Sequence, residues 1–516
     1  MEQMRILWVD DEIELLKPHI LFLERKGYEM KTANNGEDAL EMMGNEAFDI
    51  VFLDENMPGI SGLETLSRMT ENHKGPVVMI TKSEEEYIME EALGSKISDY
   101  LIKPVNPNQI LLSIKKNLDS KRLVNDKVTS NYQKEFREIS MSLMDVRNLK
   151  EWTEIYQKLV YWELELDKID ASGMVEILEM QKSEANSLFF KYVKSNYKSW
   201  LVASDDKPVL SHTLLREKVF PHLSETKPSF FILIDNLRYD QWKVLEPILS
   251  KWFKIEEEST FCSILPTATQ YSRNSIFSGL TPLELSKRFP HLWKNDHEEG
   301  GKNLHEQEFL KDQMQRLGLG AKKVAYHKVV QQQYGVKLVE QFNQLVQNDF
   351  NVIVYNFVDM LSHAKTEMDM IRELAGTDKS YRDLTRTWFE NSSLLEMLKK
   401  IADYDADLII STDHGTINVG VPSKVVGDRE TSSNLRYKTG KRLQYQAKDV
   451  MAIENPEEYF LPAANLTSSF IFARENIFLT YPNNYNHFVK YFKNTYQHGG
   501  LSLEEMICPV IRLSAK

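Results

Sequence analysis

In the first 120 residues five short apolar runs, RILWV, MKTA, DIVFLD, VVMIT and DYLI, alternate with amphipathic stretches at 13–26, 37–45, 62–71, 84–93 and 107–119. No other feature constrains the fold as much. Strands separated by helix-length amphipathic segments are joined by crossovers, which predicts a doubly wound parallel sheet. Ligand chemistry in such sheets sits at the carboxyl ends of the strands. The run ends here carry Asp10 and Asp11, Asp54, Thr81, and Lys103 followed by Pro104. Three carboxylates at one sheet edge repel one another unless a divalent cation neutralises them, and oxygen-only ligands suit Mg²⁺. Asp54 is then placed to attack a phosphoryl donor, with Lys103 and Thr81 compensating and orienting the added charge.

Residues 1–120 resemble a response-regulator receiver domain of flavodoxin-like fold, on the strength of these five positions in register and of Pro58-Gly59. The resemblance implies that Asp10, Asp11, Asp54 and the Asn56 backbone carbonyl hold one Mg²⁺. It also implies that a sensor histidine kinase is the donor for Asp54, and that Tyr100 is an aromatic switch acting with Thr81 and Lys103. Lys82 departs from the pattern, in which the residue after the switch threonine is small and governs water access to the phosphoryl group.

From residue 108 to 207 the chain has one glycine, Gly173, and no proline, and apolar residues recur at helical spacing. This predicts about three helices forming a bundle over 121–206, with breaks near 147–150 and 170–173. Trp152, Trp162 and Trp200 are assigned to its core.

A second α/β pattern fills 207–516. Acids and histidines again follow the apolar runs: Asp235 after FFILI, Asp359 and His363 after VIVYNFV, Asp413 and His414 after LIIST, with His498 in QHGG. Three aspartates and three histidines without cysteine suit Zn²⁺ and are compatible with Mn²⁺, and six donors exceed one tetrahedral site, so two ions are expected. A nucleophile is expected at a turn opening a helix. In LPTATQYSRNSIFSGL, Thr269 is placed to cap a helix beginning at Gln270, with its hydroxyl toward a metal, and Thr267 is the competitor. Arg273 or Asn274, about one turn on, is positioned to hold a nonbridging phosphate oxygen. The stretch 412–442 reads as a long basic loop, with Lys424, Arg429, Arg436, Lys438, Lys441 and Arg442 available to clamp a second phosphate.

This second set resembles the alkaline phosphatase superfamily in its PglZ branch. The resemblance implies that Asp359, His363 and His498 bind one zinc while Asp235, Thr269, Asp413 and His414 bind the other. A threonine nucleophile is closer to the phosphodiesterase branch than to the monoesterases, which favours a phosphodiester such as a cyclic or short linear oligonucleotide. Receiver, helical bundle and PglZ domain in this order resemble response regulators associated with type IX secretion. That resemblance implies an alternative sigma factor or a secretion component as output, while homodimerisation on phosphorylation is expected because receivers often pair through the face of the fourth helix, fifth strand and fifth helix and the connection after Pro107 is free of proline. A zinc-stabilised adaptor without catalysis is the competing reading.

The net charge of −13 argues against a broad nucleic-acid or anionic-membrane footprint. Only Cys262 and Cys508 are present and no run of 18 apolar residues occurs, so a cytoplasmic protein without disulfides, secretion signal or membrane span is expected.

Overall fold

A computed structural model describes residues 4–69, 75–82, 97–118, 126–168, 172–202, 207–428, 431–463, 465 and 467–516. The chain divides into two compact units, one of residues 1–145 with 161–182, the other of 146–160 with 183–516.

In the first unit, β1 (Arg5–Val9), β2 (Glu29–Ala33), β3 (Ile50–Asp54), β4 (Val77–Thr81) and β5 (Asp99–Ile102) form a parallel sheet in the order β2-β1-β3-β4-β5. The apolar runs are continuous because both faces are covered. Leu7, Val9, Val51, Leu53 and Met79 bury on one side, and Ile6, Trp8, Phe52, Val78 and Ile80 on the other, the alternation a strand imposes. Helices Lys17–Arg25, Gly36–Asn45, Gly62–Arg68 and Pro107–Leu118 fall where the amphipathic stretches predict them. The expected stretch 84–93 lies outside the described residues.

The central segment contains three helices, Asp126–Met144, Leu149–Asp167 and Ser172–Leu201. Within the first unit, Gln181 Nε2 donates to Phe136 O at 3.0 Å and to Ser140 Oγ at 3.1 Å, and the Tyr132 and Trp162 rings lie 5.3 Å apart. In the second unit Trp152 packs 5.3 Å from Phe189. Trp152, Trp162 and Trp200 are all buried. Residues 149–201 are thus divided between the two units.

The second unit is built on β6 (Ser229–Ile234), β7 (Phe253–Cys262), β8 (Val324–Val329), β9 (Phe350–Tyr355), β10 (Asp407–Ser411) and β18 (Ile507–Ala515). Their order is β7-β18-β10-β6-β9-β8, with β10, β6, β9 and β8 parallel and β18 antiparallel to both neighbours. The adjacent strands β10, β6 and β9 therefore deliver Asp413, Asp235 and the helix Phe357–Glu367 to one edge.

The basic stretch 412–442 is not an open loop. It contains β11 (Ile417–Val419), β12 (Val421–Lys424) and β13 (Tyr437–Lys441). These pair with β17 (Thr495–Gln497), β16 (Ile477–Thr480) and β15 (Ser468–Ala473), and β15 also pairs with β14 (Val450–Ile453). The partner strands lie far downstream, out of reach of local periodicity. Two of the expected phosphate clamps serve the fold instead. Arg436 is fully buried and donates to Glu505 through Nε at 3.1 Å and Nη2 at 2.7 Å. Lys438 is buried, with Nζ donating to Ser432 O at 3.0 Å and lying 4.5 Å from the centre of the Tyr481 ring. Lys424 lies over the Tyr485 ring, Arg442 is exposed, and Arg429 lies outside the described residues. Among the described residues no helix is long and apolar enough to cross a membrane.

Candidate phosphoacceptor and metal centres

The receiver site forms where β1, β3 and β5 end. Asp10, Asp11 and Asp54 each bring a carboxylate oxygen within 4.8 Å of the others. Lys103 Nζ lies 3.0 Å from Asp10 Oδ2 and 2.9 Å from Asp54 Oδ2. Burial pushes the Asp54 carboxyl above its ordinary range and Asp10 and Asp11 push it further, while Lys103 opposes them. Although burial works against its charge, contacts with Asp54 and Asp10 hold Lys103 above the usual lysine range. Asp54 Oδ1 is buried with no hydrogen-bond partner among the described residues, which fits a cation in contact with it. Thr81 ends β4 and is buried, Tyr100 lies half-buried in β5, Asn56 is exposed two residues beyond Asp54, and Lys82 is exposed.

In the second unit two clusters form. Asp359 and His363 stand one turn apart on the helix Phe357–Glu367, and His498 reaches them from the segment after β17. His363 Nε2 and His498 Nε2 lie 3.6 Å from Asp359 Oδ2 and Oδ1 respectively. Asp235, Asp413 and His414 make the second cluster, all buried. The His414 and His498 rings stack with centroids 4.3 Å apart, so the clusters are neighbours.

Two backbone carbonyls decide how the imidazoles present themselves. His414 Nδ1 lies 3.1 Å from Gly415 O and His498 Nδ1 lies 3.3 Å from Thr267 O. A carbonyl only accepts, so each Nδ1 donates and each Nε2 is the nitrogen turned toward the carboxylates. Burial, then the neighbouring His414 and His363, hold His498 well below the usual histidine range, which keeps it neutral. Two carboxylates with one imidazole, and one carboxylate with two imidazoles, each bringing one ligand atom within 4.8 Å of the others, suit a divalent cation in each cluster. Burial raises Asp235 well above the ordinary carboxylate range against the opposing charge of Arg273. Asp413, against the same effect of burial, is held below that range by Arg273 and His414.

Thr269 Oγ1 lies 3.1 Å from His414 Nε2 and 3.5 Å from Asp235 Oδ1. The expectation that Thr269 caps its helix does not hold. The helix runs Thr269–Ser278, its N-cap is Ala268, and Thr269 is its first residue. A capping hydroxyl would accept from the backbone two or three residues on, whereas this one is turned to the cluster. Thr267 is fully buried, and its hydroxyl donates to Gly500 O at 2.8 Å and accepts from Gly499 N at 3.1 Å.

Arg273 and Asn274 are corrections. Arg273 is fully buried and turned inward: Nε donates to Asp413 Oδ2 at 3.0 Å and Nη2 pairs with Asp235. It braces the carboxylates, and no face of it is offered to a phosphate. The sequence carried this signal, because residues four apart share a helix face, so a threonine turned to the acids turns Arg273 to them too. Asn274 lies on another face, is buried, and donates to Gln270 O and Lys302 O.

Two asparagines were missed by sequence reasoning. Asn356 Nδ2 donates to Asp235 Oδ2 at 2.8 Å. Asn236, with φ of 64°, donates its backbone N–H to Asp413 Oδ1 at 3.2 Å and its Nδ2 to Asp359 Oδ1 at 3.3 Å, so it ties a ligand candidate of each cluster together. Asn356 follows the end of β9 directly and Asn236 comes two residues after the end of β6, places where asparagine also serves as a plain turn residue.

Comparison with known families places three domains along the chain. Residues 6–115 match the response regulator receiver domain, 122–201 the PorX response regulator linker domain, and 214–513 the BREX system PglZ alkaline phosphatase-like domain, which covers more than half of the chain. Among curated proteins, the chain is similar to the transcriptional regulatory protein ResD of Bacillus subtilis (strain 168), 32% identical over 111 residues, 22% of this chain and 46% of that protein. It is similar also to the transcriptional regulatory protein SrrA of Staphylococcus aureus (strain COL), 31% identical over 110 residues, 21% and 46%. The chain thus spans less than half the length of these curated relatives. Among solved structures, the response regulator TrrA of Thermotoga maritima in complex with Mg(2+)-BeF is 32% identical, covering 22% of this chain and 100% of that one, with a TM-score of 0.21. A CheY-like receiver domain protein of Methanospirillum hungatei JF-1 is 30% identical, covering 23% and 96%, with a TM-score of 0.22.

Proposed function

Because this chain belongs to the PglZ family of alkaline phosphatase-like domains, carried behind a receiver and a PorX linker in the PorX-type architecture, we propose that it is a response regulator phosphorylated on Asp54 whose effector half is a two-zinc phosphodiesterase. The substrate in this reading is a cyclic or short linear oligonucleotide, and the setting is cytoplasmic control of type IX secretion. The receiver implies a sensor kinase as donor, and the PglZ domain a hydrolase-like effector.

The observation that carries the reading is the hydroxyl of Thr269 beside two clusters of Asp and His donors, 3.1 Å from one imidazole and 3.5 Å from one carboxylate. Asp359, His363 and His498 would hold one zinc, and Asp235, Asp413 and His414, with Thr269, the other. Bound ions would supply Lewis acidity toward phosphate oxygens and lower the pKa of a nearby hydroxyl. The chain itself positions the attacking oxygen: Thr269 Oγ1 stands at the positive end of a ten-residue helix, where a phosphate is favoured. Asn236 and Asn356 keep the carboxylates oriented through Asp413, Asp359 and Asp235. Asp10, Asp11, Asp54 and the Asn56 carbonyl would hold Mg²⁺ in the receiver, with Lys103 pairing the phosphoryl group. Phosphorylation then drives homodimerisation, and a sigma factor or secretion component reads the result.

Zinc-loaded full chain incubated with bis(p-nitrophenyl) phosphate tests this. The expected outcome is turnover that a chelator abolishes and added zinc restores. No turnover of this ester or of short oligonucleotides by metal-loaded protein would favour the adaptor reading.

A further inference from the structure

Behind the Asp235, Asp413 and His414 cluster lies a buried charge chain that the proposed chemistry does not use. Each nitrogen of the Arg273 guanidinium faces a different acid. Nε lies 3.0 Å from Asp413 Oδ2, Nη2 pairs with Asp235 Oδ2, and Nη1 lies 3.6 Å from Glu306 Oε1. Glu306 opens the helix Glu306–Arg316 and is 2% exposed, while Arg273 is fully buried. Glu306 also accepts from Lys328 Nζ, at 3.1 Å through Oε1, the oxygen that faces Arg273, and at 3.3 Å through Oε2, and the side chain of Lys328 is 22% exposed.

A buried guanidinium next to a divalent-cation site has a cost. Its charge repels the ion at short range and low dielectric, and it competes for the same carboxylate oxygens. A carboxylate on its far side offsets that charge. Glu306 stands between Arg273 and Lys328, so the three groups carry one net positive charge where the two cations alone would carry two, and less of it opposes an ion at Asp235 and Asp413.

We infer that Glu306 is a positioning residue of the Asp235, Asp413 and His414 cluster, acting through Arg273: its carboxylate offsets part of the guanidinium charge and so raises the affinity of that cluster for a divalent cation. The inference rests on the reading that this cluster holds an ion.

The test is Co²⁺ titration of metal-stripped full chain under chelator competition. The visible absorption of histidine-bound cobalt is followed, in excess Mg²⁺ so that the oxygen-only receiver site stays filled. Wild type should take up two coloured Co²⁺. Glu306→Gln should weaken one of the two by about 10- to 100-fold and change its absorption, leaving the other within a few-fold. Glu306→Asp keeps the charge and draws it back by one methylene. It should lose roughly threefold to tenfold, and it decides the matter if the glutamine variant does not fold. Two Co²⁺ bound with unchanged affinity and spectrum in both variants would overturn the inference alone. Wild type with only one coloured site, at Asp359, His363 and His498, would overturn the two-ion reading and this inference with it.

Discussion

Thr269→Val is expected to lower phosphodiester turnover at saturating metal by at least about 10³-fold, on the order of 4 kcal/mol of transition-state stabilisation, while zinc content stays within experimental error of wild type. The clean separation follows from where Thr269 sits. As the first residue of the helix Thr269–Ser278, with Ala268 as N-cap, it gives the helix no side-chain hydrogen bond to lose. Valine keeps the branched shape and removes only the oxygen lying 3.1 Å from His414 Nε2 and 3.5 Å from Asp235 Oδ1. Three carboxylates and three imidazoles remain for the ions. Thr269→Ser, which restores a hydroxyl, should recover most of the rate. Thr267→Val tests the competing hydroxyl and is expected to act through the fold, because that side chain is bonded to Gly499 and Gly500. Wild-type turnover in Thr269→Val would remove Thr269 as nucleophile.

Asp54→Asn is expected to abolish phosphoryl uptake from acetyl phosphate and from any sensor kinase, to background, and with it any mass increase seen in sedimentation. The same variant should melt at a higher temperature than wild type in the absence of Mg²⁺. The sign follows from the geometry. Asp54 is buried beside Asp10 and Asp11, and its pKa is raised above the unfolded value. A group with a raised carboxyl pKa binds its proton more tightly folded than unfolded, so stability falls as pH rises from the unfolded pKa to the folded one, and the deficit is complete above the folded pKa. Asparagine removes the charge that causes it. Phosphoryl uptake in Asp54→Asn would place the acceptor elsewhere, and a lower melting temperature would show that Lys103, 2.9 Å away, more than offsets the cost of burying the charge.

The fold was legible where the chain repeats a simple period. Continuous apolar runs such as Ile50–Asp54 are buried on both faces of a parallel sheet, and their ends mark where the acids stand. Five of the six Asp and His donors in the two candidate clusters could be named because positions at or just beyond strand ends converge by topology alone, and His498 came from the QHGG segment. What sequence could not give was the direction of side chains off those ends. Arg273 was read as a phosphate contact, and only its shared helix face with Thr269 hinted that it braces Asp235 and Asp413. The basic stretch at 412–442 reads as a long loop with phosphate clamps because its pairing strands β15, β16 and β17 begin at Ser468, Ile477 and Thr495. Arg436 and Lys438 look like surface cations until Glu505 and the Tyr481 ring are brought to them from that distance.

Crystals of the full chain grown with Zn²⁺, with diffraction recorded on either side of the zinc absorption edge, test the central claim most directly. The account predicts two anomalous peaks per chain in the effector half, one among Asp359, His363 and His498 and the second among Asp235, Asp413 and His414 beside Thr269. Anomalous density at neither cluster in crystals soaked with zinc, or a single peak away from Thr269, would contradict it.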